Sequence, residues 1–219
     1  MLYEATELIG DPKYAHIATQ QAEKSLNSHV RPDCTTYHVV DFNQDGDVKK
    51  CMTHQGYADE SKWSPGQSWA IYGYAQCGRK VFLETAFELL PESGVPWWDF
   101  DDPKPCPYDT STSAATACGL FMLYRLLRPI DPRAAEQYLI KSFKLIDDLM
   151  GECRTWKTML EGDEVVWEEG GWETILEHST TNGNELATKR LLDHGLLYAN
   201  FYFIQYGNEL LKLRPEANW

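Results

Sequence analysis

The sequence is poor in positive charge and contains no long hydrophobic run. Its 219 residues include 20 Lys and Arg against 33 Asp and Glu, which gives a net charge of −13. Because an acidic surface repels phosphate groups, neither nucleic acid nor an anionic membrane surface is expected as a partner. No apolar stretch approaches the roughly 18 residues of a membrane-spanning helix. Residues 1–7 lack the basic head, apolar stretch and cleavage site of a signal peptide.

Signals for metal, cofactor and disulfide chemistry are also weak. The six cysteines are dispersed without a CxxC pair, so we expect reduced thiols, and the cytoplasm is favoured for the chain as given. Cys51 and His54 have the spacing that opens a metal site, but no second pair follows. Residues 41–46 match the opening of a calcium loop, but Met52 stands where the final Glu belongs, so a polar turn is expected. No phosphate-binding loop is present, and neither metal nor cofactor is expected.

The chain does contain a recurring helical hairpin. An apolar helix ends at Gly or Asp, often with Pro, and a second helix follows at once. The predicted hairpins cover residues 2–28, 65–90 and 113–150, and a last helix covers about 196–213. This pattern amounts to about seven helices. Because such hairpins stack side by side and bury a shared core, the pattern predicts an all-α fold, either a solenoid or a closed α/α toroid.

Several turns carry signals for a helix start. Asp11-Pro12 and Asp131-Pro132 each place a carboxylate before a proline at the first helical position. Asp109 is most simply a helix cap. Residues 64–67 form a capping box in which Ser64 is the N-cap and Gln67 is the third helical residue. These signals divide the chain into the predicted helices.

Long aromatic spacers separate the hairpins. Residues 35–42 alternate like a short strand, and residues 50–64, 94–108 and 167–193 are predicted loops. If the hairpins form a ring, these spacers crowd one of its mouths. Loops on a rigid helical scaffold are where sites are usually built, so we looked for candidate residues there.

Two spacers combine aromatic rings with polar groups. Residues 53–69 include His54, Gln55, Tyr57, Asp59, Trp63 and Trp69, and residues 96–102 include Trp97, Trp98, Asp99, Asp101 and Asp102. Aromatic faces stack on sugar rings, polar side chains bond hydroxyls, and paired carboxylates suit glycosidic chemistry. In the alternative interpretation the polar groups satisfy the local backbone, or are solvated, and the tryptophans pack in the core. Composition alone leaves both interpretations open.

The order and spacing of several motifs resemble the unsaturated glucuronyl hydrolases, glycoside hydrolase family 88. The matching segments are residues 31–33, 37–42, 53–63, 66–69, 95–100, 109–111, 113–115 and 197–203. The resemblance covers nearly the whole chain. It implies an (α/α)6 toroid with the site at the mouth of the ring, here incomplete, with short β segments in the loops. Residues 1–219 would be a single domain, the C-terminal part of that barrel.

The resemblance also implies a reaction and its substrate. Family members release 4,5-unsaturated glucuronic acid from oligosaccharides that a polysaccharide lyase has produced. An Asp protonates C4 of the vinyl ether, water adds at C5, and the resulting hemiketal opens and expels the remaining sugar. The expected ligand is therefore an unsaturated uronic-acid oligosaccharide.

By matched position, His38, His54, Gln55 and Trp69 would be substrate-binding residues, with Trp69 stacking on the unsaturated ring. The family's two catalytic aspartates have no counterpart in this chain, and Asp59 and Asp99 are the fallback proton donors. The Arg that often precedes the family's Gly-Gln pair is Pro65 here, which removes a plausible contact to the uronate. Helices missing from the ring would leave apolar faces in water, so we also expect self-association.

Three alternatives remain open at this level. One is an unsaturated rhamnogalacturonyl hydrolase on the same fold. Another is a carbohydrate-binding fragment that has lost turnover together with the aspartates. The last is a helical-repeat interaction module without any saccharide site, which would have no use for the aromatic and His-rich loops.

Overall fold

The computed structural model describes residues 1–78, 89–155, 159–166 and 172–213. In this part of the chain the fold is mostly helical, with two small antiparallel sheets of two strands each. The helices are α1 (Leu2–Ile9), α2 (Lys13–His29), α3 (Ser64–Gln76), α4 (Thr110–Leu127), α5 (Pro132–Glu152) and α6 (Leu197–Leu211). The strands are β1 (Val39–Phe42), β2 (Val48–Met52), β3 (Met159–Glu161) and β4 (Glu164–Val166).

The predicted helical class is confirmed over these residues. The helix expected over 80–90 falls almost wholly on residues 79–88, which lie outside the described ranges. The first five residues of the loop expected at 167–193 also lie outside them. No helix within the described ranges is long and apolar enough to cross a membrane.

Helix α4 forms the centre of the fold. Ala114, Ala115, Ala117 and Leu120 on this helix have no exposed surface. Helices α3, α5 and α6 pack around it. A Cβ atom on Gly119 would lie 3.0 Å from the backbone of Tyr72, so only a residue without a side chain allows α3 and α4 to approach this closely.

The hairpin α1–α2 lies at the edge of the fold. Gly10 ends α1 in the left-handed conformation, with φ of 79°, which glycine adopts without steric cost. The hydroxyl of Thr6 accepts a hydrogen bond from the backbone N–H of Ala15 and ties the two helices together. Neither helix contains a fully buried residue, and Leu8 is 86% exposed. The hairpin therefore leaves apolar surface in water.

The predicted helix caps are only partly correct. Asp131 and Asp109 accept hydrogen bonds from the backbone N–H groups of Ala134 and Thr112, so both caps are confirmed. Asp11 instead accepts from the N–H of Lys13, and the N-cap of α2 is Pro12 rather than Asp11.

The capping box at 64–67 is wrong. The N-cap of α3 is Trp63, and no side chain caps it. Ser64 donates to the carbonyl oxygen of Trp98, and Gln67 donates to the hydroxyl of Thr36. Partners that are distant in sequence therefore displace the local capping pattern.

The strands differ from the prediction in length and number. The strand expected at 35–42 is confined to β1, and it pairs with β2, whose last three residues fall in the loop predicted at 50–64. The hairpin of β3 and β4 was missed as well. Strand β2 is exposed over its first three residues, so it lacks the alternation that marks a half-buried strand.

The turn between β1 and β2 is the polar turn predicted in place of a calcium loop. Asn43 and Asp47 bond each other through the backbone, and the side chain of Asn43 also accepts from the N–H of Asp47. Gly46 takes φ of 89° at the tip. Within the described ranges, no group of three His, Cys, Asp or Glu is placed to hold a metal ion. All six cysteines are free.

Candidate functional site

A cavity of about 620 Å³ lies between α2, α3 and the segment around residues 36–38. His38, Gln55 and Trp69 line it, so the structure brings together three of the four predicted substrate-binding residues. The described residues that line this cavity include no Lys, Arg, Asp or Glu. Its walls are aromatic rings, small side chains and neutral polar groups.

The β1–β2 hairpin places His38 at the cavity. Val39 pairs with Met52 in the sheet register, so His38 and Thr53 come next to each other at its open end. The Nδ1 atom of His38 lies 2.8 Å from the hydroxyl oxygen of Thr53, and the His38 ring packs on the indole of Trp63. Burial, followed by the nearby His54, lowers the pKa of His38 from 6.5 to about 4. His38 is therefore neutral at physiological pH.

Gln55 holds two distant loops together. Its side-chain amide donates to the backbone carbonyl oxygen of Thr181, and its backbone carbonyl oxygen accepts from the N–H of Gly183. Next to it, Asn184 donates to the carbonyl oxygen of Gly56 over 2.8 Å. The loop after β2 and the loop at 181–184 therefore form one continuous wall beside the cavity.

Trp69 lies on α3 and is half-buried. Its ring packs against Tyr198 and Tyr202 of α6, with centroid distances of 5.7 Å and 5.4 Å. Because these contacts support the indole from α6 while part of it faces the cavity, Trp69 is oriented to offer a flat apolar surface to a ligand.

His54 faces a neighbouring cavity. His54 and Asp59 line a second space of about 830 Å³, together with residues 182 and 184–189. Asp59 accepts from the N–H of Thr53 and forms an ion pair with Lys50. The hydrogen bond from Thr53 is the main cause of the lowered pKa of Asp59. His54 thus lines a different cavity from the other three predicted binding residues.

Asp99 is a buried anchor for this loop. Its carboxylate accepts from the N–H of Tyr57 at 2.9 Å, from the hydroxyl of Ser61 at 2.6 Å and from the N–H of Asp101 at 3.0 Å. Burial raises the pKa of Asp99. The side chain has no exposed surface and does not line the cavity. In this position it fixes the segment 57–61.

The rest of the segment 96–102 packs or is salt-bridged. Trp98 is 1% exposed and donates its indole N–H to Asp102. Asp101 pairs with Lys62, and Trp97 stacks on Tyr108. Of the two interpretations of this segment, its described contacts match the one in which Trp98 packs in the core.

The sequence analysis missed part of the cavity wall. Ser25, His29 and Tyr74 line the cavity, and the Tyr74 hydroxyl donates to Ser25, whose oxygen lies 3.4 Å from Nδ1 of His29. A signal was available, because Ser25 and His29 continue along α2 the stripe of small residues at Ala18 and Ala22, with helical spacing.

Fold and site together define a mostly helical protein of packed hairpins with a neutral, aromatic cavity beside α3. A scan against known family profiles gives no match. Individual relatives are found. The chain is 32% identical over 223 residues to the unsaturated glucuronyl hydrolase of Formosa agariphila, a match that covers 94% of this chain and 50% of the relative. It is 40% identical over 146 residues to the unsaturated glucuronyl hydrolase of Bacillus sp. strain GL1, covering 60% of this chain and 39% of that protein.

Solved structures agree with this relationship. A structure of an unsaturated glucuronyl hydrolase variant with the saccharide dGlcA-Glc-Rha-Glc superposes with a TM-score of 0.79 at 29% identity, over 98% of this chain and 56% of the other. The chain therefore belongs to the unsaturated glucuronyl hydrolases, glycoside hydrolase family 88, as the sequence motifs indicated. It spans about half the length of the relatives that it matches.

Proposed function

We propose that this chain supplies the saccharide-binding wall of a glycoside hydrolase that releases 4,5-unsaturated glucuronic acid from lyase-generated oligosaccharides. The observation that carries the proposal is the convergence of His38, Gln55 and Trp69 on one neutral cavity. Neighbouring structures support the class of ligand, because one of them contains an oligosaccharide that begins with dGlcA.

In the proposed reaction, the chain's residues bind and orient the sugar. Trp69 stacks on the unsaturated ring, while His38 and Gln55 bond its oxygens. His54 contacts the part of the oligosaccharide that extends into the neighbouring cavity. Protonation of C4 followed by addition of water at C5 gives a hemiketal, whose opening expels the remaining sugar. The proton must come from a carboxylic acid, and the described cavity lining contains none.

We further propose that residues 1–219 form one domain and part of an (α/α)6 toroid. The helical hairpins, and the structural match over 98% of the chain, support this architecture. Apolar side chains remain in water on α1 and α6: Leu8, Ile9, Leu197 and Phe201 are 86%, 65%, 83% and 57% exposed. In a closed ring further helices would cover such faces, and in their absence the chain would associate with itself.

The test is the ultraviolet absorbance of the conjugated double bond in an unsaturated chondroitin disaccharide, followed after addition of the purified chain. If this chain carries out the reaction by itself, the absorbance falls, and the rate drops in Trp69→Ala. Trp97→Ala is the matched control, because Trp97 stacks on Tyr108 and does not line the cavity. Constant absorbance would contradict hydrolysis by this chain.

Binding without turnover is the second candidate, and the absence of an acidic group from the described cavity lining favours it. Calorimetric titration with the same disaccharide distinguishes the two. Saturable binding at constant absorbance, weakened by Trp69→Ala, would establish a carbohydrate-binding role. If neither absorbance nor heat changes, both candidates are wrong.

A further inference from the structure

The ring of His38 receives hydrogen bonds on one nitrogen from two sides. Its Nδ1 lies 2.8 Å from the hydroxyl oxygen of Thr53 and 3.3 Å from the backbone nitrogen of His54. The Thr53 oxygen in turn accepts a hydrogen bond from the N–H of Gly56 over 2.8 Å. Three consecutive contacts thus connect the backbone of the loop 53–56 to one atom of the imidazole.

The directions of these bonds follow from the fixed donors. A backbone N–H can only donate, so Nδ1 must accept from His54 and carries no proton of its own. The Thr53 oxygen already accepts from Gly56, which leaves its own hydrogen free to point at Nδ1. A proton on Nδ1 would instead face the N–H of His54. In a neutral imidazole the remaining proton then lies on Nε2.

We propose that Thr53 is a positioning residue of the saccharide site, whose hydroxyl, together with the N–H of His54, fixes His38 as the Nε2-protonated tautomer and so presents a neutral N–H donor to a ligand oxygen in the cavity. This inference rests on the proposed function for its ligand, but not for the tautomer itself.

The surroundings hold this arrangement in place. A Cβ atom on Gly56 would lie 2.8 Å from the Thr53 oxygen, so only glycine brings its N–H close enough without displacing that oxygen. Asp99 anchors the next residue, Tyr57, through its N–H. Trp63, which is 6% exposed, covers one face of the His38 ring. The ring has little freedom to turn and exchange its two nitrogens.

The fixed tautomer of His38 matters for recognition because the described residues that line the cavity include no Lys or Arg. A hydroxyl or carboxylate oxygen of the sugar must there be held by neutral donors. An imidazole that alternated between tautomers would present a donor only part of the time. Burial keeps the pKa of His38 at about 4, so the donor stays neutral at physiological pH.

The tautomer can be measured directly by nitrogen–proton correlation NMR on the ¹⁵N-labelled chain, without ligand. At neutral pH we expect the His38 pattern of the Nε2-protonated form. Thr53→Val should raise the Nδ1-protonated share, and Thr53→Ser, which keeps the hydroxyl, should restore the original pattern. An Nδ1-protonated or evenly mixed His38 in the unaltered chain would overturn the proposal, whether or not the valine variant folds.

A titration with the unsaturated disaccharide then tests the consequence for binding. Losing one neutral hydrogen bond should weaken binding about three- to tenfold in Thr53→Val, with recovery in Thr53→Ser. Equal affinity of the valine variant, in which the tautomer has shifted, would contradict the positioning role. If the unaltered chain shows the expected tautomer but binds no saccharide, the proposed function fails while the tautomer assignment stands.

Discussion

The ring of His38 packs against the indole of Trp63 in a tilted contact, with ring centroids 4.2 Å apart and planes inclined by 34°. This contact gives different roles to Trp63 and Trp69, the two tryptophans of the candidate sugar-binding segment 53–69. Both rings line the cavity, but Trp63 is almost wholly buried and supports His38, whereas Trp69 is half-buried and keeps part of its ring accessible. The proposed stacking surface is therefore Trp69 alone, and His38 owes its orientation in part to Trp63.

Truncation of Trp69 should weaken saccharide binding. Trp69→Ala removes the aromatic face, and a loss of about 1 kcal/mol, or about fivefold in Kd, is expected from stacking of this kind. Trp69→Phe should retain part of the affinity. Calorimetric titration measures both variants, and equal affinities of the alanine variant and the unaltered chain would exclude Trp69 as the stacking residue.

The buried His38 should make the folded state sensitive to mild acid. Its pKa is about 4 in the folded chain against 6.5 as the ordinary value. Below pH 6.5 the unfolded chain binds a proton at His38, while the folded chain does not. The free energy of unfolding therefore falls progressively as the pH is lowered from 6.5 toward 4. His38→Gln should reduce that loss.

Urea unfolding between about pH 7 and about pH 5 measures the difference. Three other titratable groups lie near His38 and Thr53: His54, Asp59 and Lys50. Asp59 has a pKa lowered from 3.8, so its own contribution is lost only at more acidic pH. Parallel pH profiles for His38→Gln and the unaltered chain would show that His38 is not buried as a neutral group.

Asp99 and Asp59, the two fallback proton donors, should differ in how their substitution affects the stability of the folded chain. Asp99→Asn keeps one carbonyl oxygen for Tyr57 and Ser61 but turns an amide N–H₂ toward the N–H of Asp101. A buried donor without an acceptor costs about 1–3 kcal/mol, which chemical denaturation can measure. Asp59→Asn, at the surface, should unfold at nearly the same denaturant concentration as the unaltered chain.

If the chain hydrolyses the disaccharide, the same two variants identify the acid. Loss of turnover in Asp59→Asn at unchanged stability would assign proton donation to Asp59. Turnover that falls only in Asp99→Asn, in proportion to the folded fraction, would leave Asp99 as the anchor of the segment 57–61.

The close approach of α3 and α4 should make Gly119 intolerant of a side chain. A Cβ there would lie 2.8 Å from the Ile71 side chain and 3.0 Å from the Tyr72 backbone, so Gly119→Ala should cost about 1–3 kcal/mol. Gly207 on α6 is the matched control, because nothing lies within 4 Å of a Cβ there. Gly207→Ala should stabilise the helix by about 0.5–1 kcal/mol. Thermal unfolding measures both, and equal effects would contradict the packing.

The exposed apolar side chains on α1 and α6 should make the isolated chain associate with itself. Leu8 is 86% and Phe201 is 57% exposed, each on the face of a helix. Sedimentation should show a mass that rises with concentration, and the paired change Leu8→Ser and Phe201→Ser should reduce it. Leu186→Ser is the control, because Leu186 is 95% exposed but lies in a loop. A sharp, reversible melt of a monomer at every concentration would refute the prediction.

The cavity wall was partly predictable from sequence and partly not. His38, Gln55 and Trp69 lie in segments whose order and spacing resemble the family's motifs, so they could be predicted as binding residues without a structure. Ser25, His29 and Tyr74 come from helix faces with no such motif, and only packing brings them to the cavity. Asp99 illustrates the limit, because a carboxylate next to tryptophans reads as catalytic, while the structure gives it three hydrogen bonds to the backbone and side chains of neighbouring segments.

Local chemistry in the sequence by itself determined the helical hairpins at 2–28 and 113–150, the caps at Asp109 and Asp131 and the glycine turn at Gly10, because each depends on residues within a few positions of one another. The tertiary structure decided the partners of Ser64 and Gln67, because contacts with residues far along the chain displaced their local pairing. It also decided which nitrogen of His38 accepts hydrogen bonds. That choice depends on contacts of 2.8 Å and 3.3 Å at strand ends that only the folded chain brings together.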